Sequence, residues 1–346
     1  MQKRIVGQNE AGQRLSKVLE KYLSEAPKNF IYKMLRKKNI TLNGKKADGT
    51  EKTKIGDEIT LWLADDTIAK FTKQVAFKRT KVLPEVIFEN KDVIVMNKPV
   101  GILSQKAEDD DESLNEQMIT WLLQKGDITE AQLASFKPSV TNRLDRNTSG
   151  LVTGGKTLAG LQTLSMAFKE RLFSKYYLCI VEGVITEKSH IKGYLSKDER
   201  TNKVTVTTQK TEGSDHIETA YEPLDNNGKN TLLKIELITG RTHQIRAHLA
   251  SIGHPVIGDY KYGDRAVNET YRAKYHLKHQ LLHSWQLVVP KDVVRENGCS
   301  SQSATENTEQ QNQVLTPIAG KCFEAPLPEL FVKILDGEKL KLKILK

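Results

Sequence analysis

Asn142-Arg143-Leu144-Asp145-Arg146-Asn147-Thr148-Ser149-Gly150-Leu151 is the stretch on which the fold turns. One carboxylate stands between two arginines and is followed by two hydroxyls and a glycine. Flanking cations favour the charged form of a carboxylate. A charged carboxylate serves as nucleophile, base or ligand. Gly150 permits a tight turn. The same residues also read as a salt-bridged turn entering a helix, with Thr148 or Ser149 as its cap. Structural ion pairs produce this pattern as active sites do, so the stretch alone leaves both readings open.

The longer string decides. N-R-L-D-R-N-T-S-G-L resembles the R-L-D-x-x-T-S-G-L signature of the RluA-type pseudouridine synthases, in which the aspartate is catalytic. That family usually opens the motif with His, where this chain has Asn142. Further blocks follow in the family's order. Lys175-Tyr176-Tyr177-Leu178-Cys179-Ile180-Val181-Glu182-Gly183 is similar to its K-x-Y-x-x-x-x-G strand. Leu237-Ile238-Thr239-Gly240-Arg241-Thr242-His243-Gln244-Ile245-Arg246-Ala247-His248-Leu249 resembles L-x-T-G-R-x-H-Q-I-R-x-H-L and runs on into Gly253-His254-Pro255-Val256-Ile257-Gly258-Asp259. Gln280-Leu281-Leu282-His283 and Ala325-Pro326-Leu327-Pro328 are similar to the closing motifs. Together the blocks span roughly residues 85–331.

The resemblance implies an enzyme that isomerises specific uridines of RNA to pseudouridine without a cofactor. It implies Asp145 as the catalytic residue, Arg246 as its cationic partner and Tyr177 as the aromatic face beneath the target base. Arg241 is the other candidate partner. Tyr176 points to the opposite face if the segment is a strand. Arg143, Arg146 and Arg241 are expected to contact RNA. Whether Asp145 attacks the sugar, attacks the base or removes a proton stays open at this level. No Walker loop, no G-x-G-x-x-G after a strand and no H-E-x-x-H occurs, so neither cofactor nor metal is expected. His276, His279 and His283 at i, i+3, i+7 would share one helical face, but no carboxylate or thiol completes a zinc set.

Composition agrees with a soluble globular chain: of 346 residues, 38% are hydrophobic and 28% charged. No apolar run approaches the roughly 20 residues of a membrane helix, and the N-terminus lacks a signal-peptide core. A cytoplasmic location is the expectation, with no membrane partner. Cys179, Cys299 and Cys322 form neither a disulfide framework nor a zinc pattern. The net charge of +10 is unevenly placed. Residues 1–80 hold 18 Lys and Arg against 9 Asp and Glu. A local positive field of this kind attracts polyanions.

The fold expectation is α+β: a mixed, largely antiparallel sheet with flanking helices, preceded by a small α/β unit. Residues 12–70 read as that unit. Leu15, Val18, Leu19 and Tyr22 recur at helical spacing. A second helix, capped by Asn29, turns Ile31, Met34 and Leu35 inward and leaves Lys33, Arg36, Lys37 and Lys38 outside. Two short strands follow. The order resembles the S4 RNA-binding fold, and Pro27–Lys38 resembles the S4 segment of RluC-type large-subunit rRNA synthases. This makes 23S rRNA or a ribosome precursor the expected partner. Residues 71–84 read as a linker and 85–346 as the catalytic domain. Residues 297–313 are polar and nearly free of aliphatic side chains, and read as a disordered insertion. No exposed apolar stripe is evident, so a monomer is expected. Two other readings compete: a non-catalytic RNA-binding or ribosome-assembly protein, and a glycosidase. The latter needs a second positioned carboxylate, for which Asp198, Asp259 and Asp264 offer no pairing pattern.

Overall fold

The structure, a computed structural model, describes residues 1–7, 9–72, 77–108, 110–133, 135–198, 200–294 and 302–342. The N-terminal unit runs β1 (Gln2–Ile5), α1 (Leu15–Tyr22), α2 (Lys28–Arg36), β2 (Ile40–Leu42), β3 (Lys45–Lys46), β4 (Glu58–Leu61) and α3 (Asp65–Phe71). Its four strands pair in the order β1-β4-β2-β3. Leu15, Val18 and Leu19 of α1 meet Ile31 and Leu35 of α2 over Ile40, Ile59 and Leu61 of the sheet. The residue before α2 is Pro27 rather than Asn29, and no side chain caps the helix. Proline's fixed φ suits a helix start. Lys33, Arg36, Lys37 and Lys38 are all exposed. After β4 the unit closes with α3. Buried Ile68 anchors that helix, and the Phe71 ring packs at 4.7 Å on Phe30.

The larger part continues with β5 (Glu85–Glu89), β6 (Val93–Lys98), α4 (Leu114–Lys125), α5 (Glu130–Leu133), β7 (Ser139–Val140), β8 (Ser149–Gly155), α6 (Leu158–Lys169), β9 (Ser174–Glu182), β10 (Ser189–Asp198), β11 (Lys203–Thr207), β12 (Asp215–Asn226), β13 (Asn230–Leu237), α7 (Gln244–Ser251), α8 (Arg265–Tyr275), β14 (Leu282–Val288), α9 (Gln302–Leu315), β15 (Cys322–Glu324) and α10 (Glu329–Gly337). Among the described residues these strands form an eleven-stranded sheet in the order β11-β10-β12-β13-β9-β14-β8-β6-β5, with β15 added to β14 and β7 to β8. Every pairing is antiparallel except β14 with β8. The class is α+β, as expected.

Strand alternation sorts the core into layers. Tyr177, Cys179 and Val181 of β9 face one side, where α4 and α7 cover the sheet. Leu178 and Ile180 face the other, under α8 and α10. Further along that second side, α6 and the end of α9 pack on Val93, Val95 and Leu151. The disordered insertion expected over 297–313 is therefore corrected in part. Residues 302–315 are helical, and the helix is anchored where Val314 and Leu315 are each 2% exposed. The polar run ends in an apolar foot that the composition of 297–313 does not include. Residues 297–301 lie outside the described residues. The expected histidine face does not form either. His276 is the left-handed residue that ends α8, and His283 lies in β14.

Hydrogen bonds from Ser135 and Leu158 tie the N-terminal unit to the rest. The Ser135 hydroxyl donates to Glu10 Oε1 at 2.6 Å, and the Leu158 N–H donates to Asn9 Oδ1 at 2.9 Å. No described helix is long and apolar enough to cross a membrane.

Candidate active site

The loop between β7 and β8 carries Asp145, and a strand, not a helix, follows it. Its backbone is fastened at several points. The Lys98 ammonium, wholly buried at the end of β6, donates to the carbonyls of Pro99, Ile102 and Arg146 at 2.9, 2.9 and 3.0 Å. Burial pushes its pKa down to about 7 against the opposing field of Asp145. The Ser104 hydroxyl donates to Leu144 O at 3.0 Å and accepts from Leu144 N at 2.9 Å. The Thr148 N–H closes a turn on Asp145 O at 3.0 Å. Asn142 stands where the resembling family has His. Its Oδ1 accepts from Thr153 N at 2.8 Å and from the Thr153 hydroxyl at 2.9 Å. It thus braces β8 rather than facing Asp145.

β8 then passes under β14, and the close approach requires glycine. Gly150 has φ +109°, and a Cβ there would stand 2.1 Å from Ser284 O. Beside it the Ser149 hydroxyl bonds His283 Nδ1 at 2.8 Å, while His283 Nε2 reaches Ala325 O at 3.2 Å. Burial pushes His283 down to about 4, so it is a neutral structural bridge.

The partner of Asp145 comes from α7. Arg246 Nη1 donates to Asp145 Oδ2 at 2.8 Å. The other edge of the guanidinium forms a two-bond fork on Asp259, Nε to Oδ2 at 2.7 Å and Nη2 to Oδ1 at 2.9 Å. Asp259 is fully buried and also accepts the N–H groups of Lys261 and Tyr262 at 2.9 and 3.2 Å. Burial alone would weaken the charge of Arg246. The bonds and field of Asp259, then of Asp145, outweigh it and raise the guanidinium pKa. A fork of this kind fixes direction as well as charge. Gly258, at φ +82°, lets the chain bring Asp259 in: a Cβ there would meet His279 O at 2.2 Å.

The loop before α7 is held by Gln244. Its Oε1 accepts from the Thr239 hydroxyl at 2.7 Å and Arg241 N at 3.1 Å, and its Nε2 donates to Glu218 O at 2.9 Å and the Thr219 hydroxyl at 3.0 Å. This places His243 beside the pair, with Nε2 3.9 Å from Asp145 Oδ2. The Tyr262 ring lies 5.2 Å from the Arg246 guanidinium carbon. Tyr177 projects from β9 on the same side, 6% exposed. Burial pushes its hydroxyl up to about 12, against a hydrogen bond with Ser284 and helped by the field of Asp145. Tyr176 faces away, under the Lys234 ammonium at 4.5 Å.

The geometry thus brings Asp145, Arg246 and Tyr177 to one place. It does not pair Asp145 with its sequence neighbours: Arg143 is exposed, and Arg146 lies 4.0 Å from Asp111. Arg241 pairs with Asp215 at 2.9 Å, which leaves Arg246 the partner of Asp145. Lys33, Arg36, Lys37 and Lys38 lie in the N-terminal unit, apart from this cluster. Asp259, His243, Tyr262, Ser104 and Lys98 were not singled out for the site. The signal for Asp259 was present, since it closes the Gly258-Asp259 run that the family motif includes. Among the described residues no group of three His, Cys, Asp or Glu is placed to hold a metal.

A sequence model described as RNA pseudouridylate synthase matches residues 92–251. The Ribosomal large subunit pseudouridine synthase C of Vibrio vulnificus is 30% identical over 290 residues, 81% of this chain and 85% of that one. An uncharacterized RNA pseudouridine synthase of Mycoplasma genitalium is 30% identical over 292 residues, 83% of this chain and 88% of that one. Of solved structures, human RNA Pseudouridylate Synthase Domain Containing 1 aligns at 20% identity and a TM-score of 0.48, over 75% of this chain and 95% of its own. The matched region includes β6, the Asp145 loop, β9 and α7, the elements that build the carboxylate–guanidinium cluster, and the full-length relatives extend the likeness over most of the chain: it belongs to the RNA pseudouridylate synthase family.

Proposed function

We propose that the chain converts uridines of large-subunit (23S) ribosomal RNA to pseudouridine, with Asp145 as the reacting carboxylate. The observation that carries this reading is the guanidinium shared by Asp145 and Asp259: one fully buried carboxylate fixes Arg246, and Arg246 aims the other, which is 26% exposed at its side chain. A purely binding protein has no use for a carboxylate so aimed at a polyanion. Like-charge repulsion would weaken its grip.

The isomerisation breaks the C1′–N1 bond, joins C1′ to C5, and moves one proton from C5 to N1. Nothing is oxidised and no group leaves the molecule. The target uridine leaves its stack at a cost of a few kcal/mol, and stacking on an aromatic face returns about 1–3 kcal/mol. Tyr177, held neutral by burial, supplies that face. Arg143, Arg146 and Arg241 meet the surrounding phosphates. Residues 12–70 act as an S4-like RNA-binding unit through Lys33, Arg36, Lys37 and Lys38, with 71–84 as linker and 85–346 as the catalytic domain. The enzyme works in the cytoplasm as a monomer. The preference for large-subunit rRNA rests on the name of the Vibrio relative and on the basic helix α2.

The test is pseudouridine mapping of rRNA and tRNA from cells lacking the gene, complemented with wild type or Asp145→Asn. Large-subunit signals restored by wild type alone establish reaction and substrate. An unchanged map, or restoration by Asp145→Asn, refutes the assignment.

A further inference from the structure

We propose that His243 is a further residue of the reaction: its Nε2–H donates a hydrogen bond to a carbonyl oxygen of the target uracil as the glycosidic bond breaks. The inference rests on the reading of Asp145 as the reacting carboxylate, and three independent features of the structure support it.

The first is placement. His243 Nε2 faces Asp145 Oδ2 at 3.9 Å, too far for a hydrogen bond. Among the described residues this nitrogen has no hydrogen-bond partner, and it stands at the edge of the reacting group. When N1 departs from C1′, its electron pair spreads over the ring to O2 and O4. A donor beside the reacting carboxylate stands within reach of this charge, and preorganised donors at developing charge give large rate effects.

The second is the tautomer. The Tyr262 hydroxyl oxygen accepts the Val204 N–H at 3.0 Å, and lies 2.9 Å from His243 Nδ1. Val204 occupies one lone pair of that oxygen and leaves the phenolic proton available to Nδ1, which is the arrangement proposed. The ring proton then sits on Nε2, where its positive end also suits the nearby carboxylate. The opposite tautomer would face a lone pair toward Asp145. Burial lowers the pKa of His243. Asp145 and Asp259 act to raise it, Arg246 and Lys261 to lower it. The imidazole is therefore neutral at neutral pH, a donor that adds no net charge to the site.

The third is strain. His243 adopts φ +55°, ψ +15°, a left-handed conformation at the start of α7. For a residue with a Cβ this conformation is strained, and the four bonds of Gln244 keep it in place. Glycine would relieve the strain, and the chain instead keeps an imidazole there.

The experiment uses the full chain and a short unmodified transcript spanning the uridine that the mapping identifies. Single-turnover rates and RNA affinity are measured for wild type, Asp145→Asn, His243→Ala, His243→Gln and Tyr262→Phe. His243→Ala is expected to slow conversion about 10²-fold with RNA affinity changed less than about three-fold. His243→Gln, which keeps an N–H donor, restores at least about ten-fold of that loss, and Tyr262→Phe falls between. An alanine variant within about three-fold of wild type overturns the inference. So does a loss that appears equally in affinity, or a glutamine variant no better than alanine. Turnover by Asp145→Asn would instead overturn the proposed function, so the two failures are distinguishable.

Discussion

Arg246 and Asp145 are 101 residues apart in the chain and 2.8 Å apart in the fold, and Arg246 reaches Asp145 with the one terminal nitrogen that Asp259 does not use. One side chain therefore serves two carboxylates at once, with a two-bond fork on Asp259 and a single bond on Asp145.

Arg246→Lys tests this directly. An ammonium is a point charge and cannot form the fork. The rate is expected to fall about 10²-fold or more, with RNA affinity nearly unchanged. Asp259→Asn should lose activity too, although it lies behind the guanidinium and never reaches the RNA. Full activity in either variant, measured under single turnover, refutes the shared-guanidinium arrangement.

Gly150→Ala should destabilise the protein by about 3 kcal/mol or more, because its Cβ would stand 2.1 Å from Ser284 O, a backbone atom that cannot step aside. Gly44→Ala is the control. It has φ +72° with nothing within 4 Å of the added carbon, so only backbone strain of about 1–2 kcal/mol applies. Equal denaturation midpoints for the two variants would contradict the close approach of β8 and β14.

Glu89 makes stability depend on acid. Burial works to raise its pKa, but hydrogen bonds from Lys156, Lys125 and Trp121 outweigh it and bring it to about 2 from 4.5. A depressed folded pKa contributes stability above the unfolded value that is lost as pH falls through the folded one. Wild type should therefore be more stable than Glu89→Gln at neutral pH, by on the order of 2 kcal/mol once solvent screening of this partly exposed group is discounted. The difference should shrink as pH drops from 4.5 toward 2. A pH-independent difference would show that the salt-bridge cluster is not its source.

Replacing Lys33, Arg36 and Lys37 by Ala should weaken RNA binding and flatten its dependence on salt. Each lost phosphate contact lowers the slope of log affinity against log salt by about 0.7–0.9. An unchanged slope would remove α2 from the RNA contact.

The motifs made the fold class and the family legible, because a chemistry-bearing loop leaves a compact local signature. Asp145, Tyr177 and Arg246 each sit in such a run. The pairing of Asp145 was only half visible. Composition put Arg143 and Arg146 beside it, yet neighbours in a loop point apart, and the cation that meets it arrives on α7 from far along the chain. Asp259 was in view as a spare carboxylate but not as the fixing group, since a fork on an arginine has no sequence period. Helix α9 was missed for a different reason. Its visible stretch is polar, and what docks it, Val314 and Leu315, falls just past the window that looked disordered.

The two parts of the great sheet meet where β8 lies parallel to β14, and only His283↔Ser149 and Ser284↔Gly150 register across that line. Asp145 precedes β8 on one side; Tyr177, Arg246 and Asp259 belong to the other. During synthesis the carboxylate leaves the ribosome early, and the last strand needed to close the site leaves it late. A nascent chain therefore carries Asp145 without its arginine partner until α7 has been made. A chain stalled before α7 would carry the N-terminal unit and the Asp145 loop but not the guanidinium that meets the carboxylate.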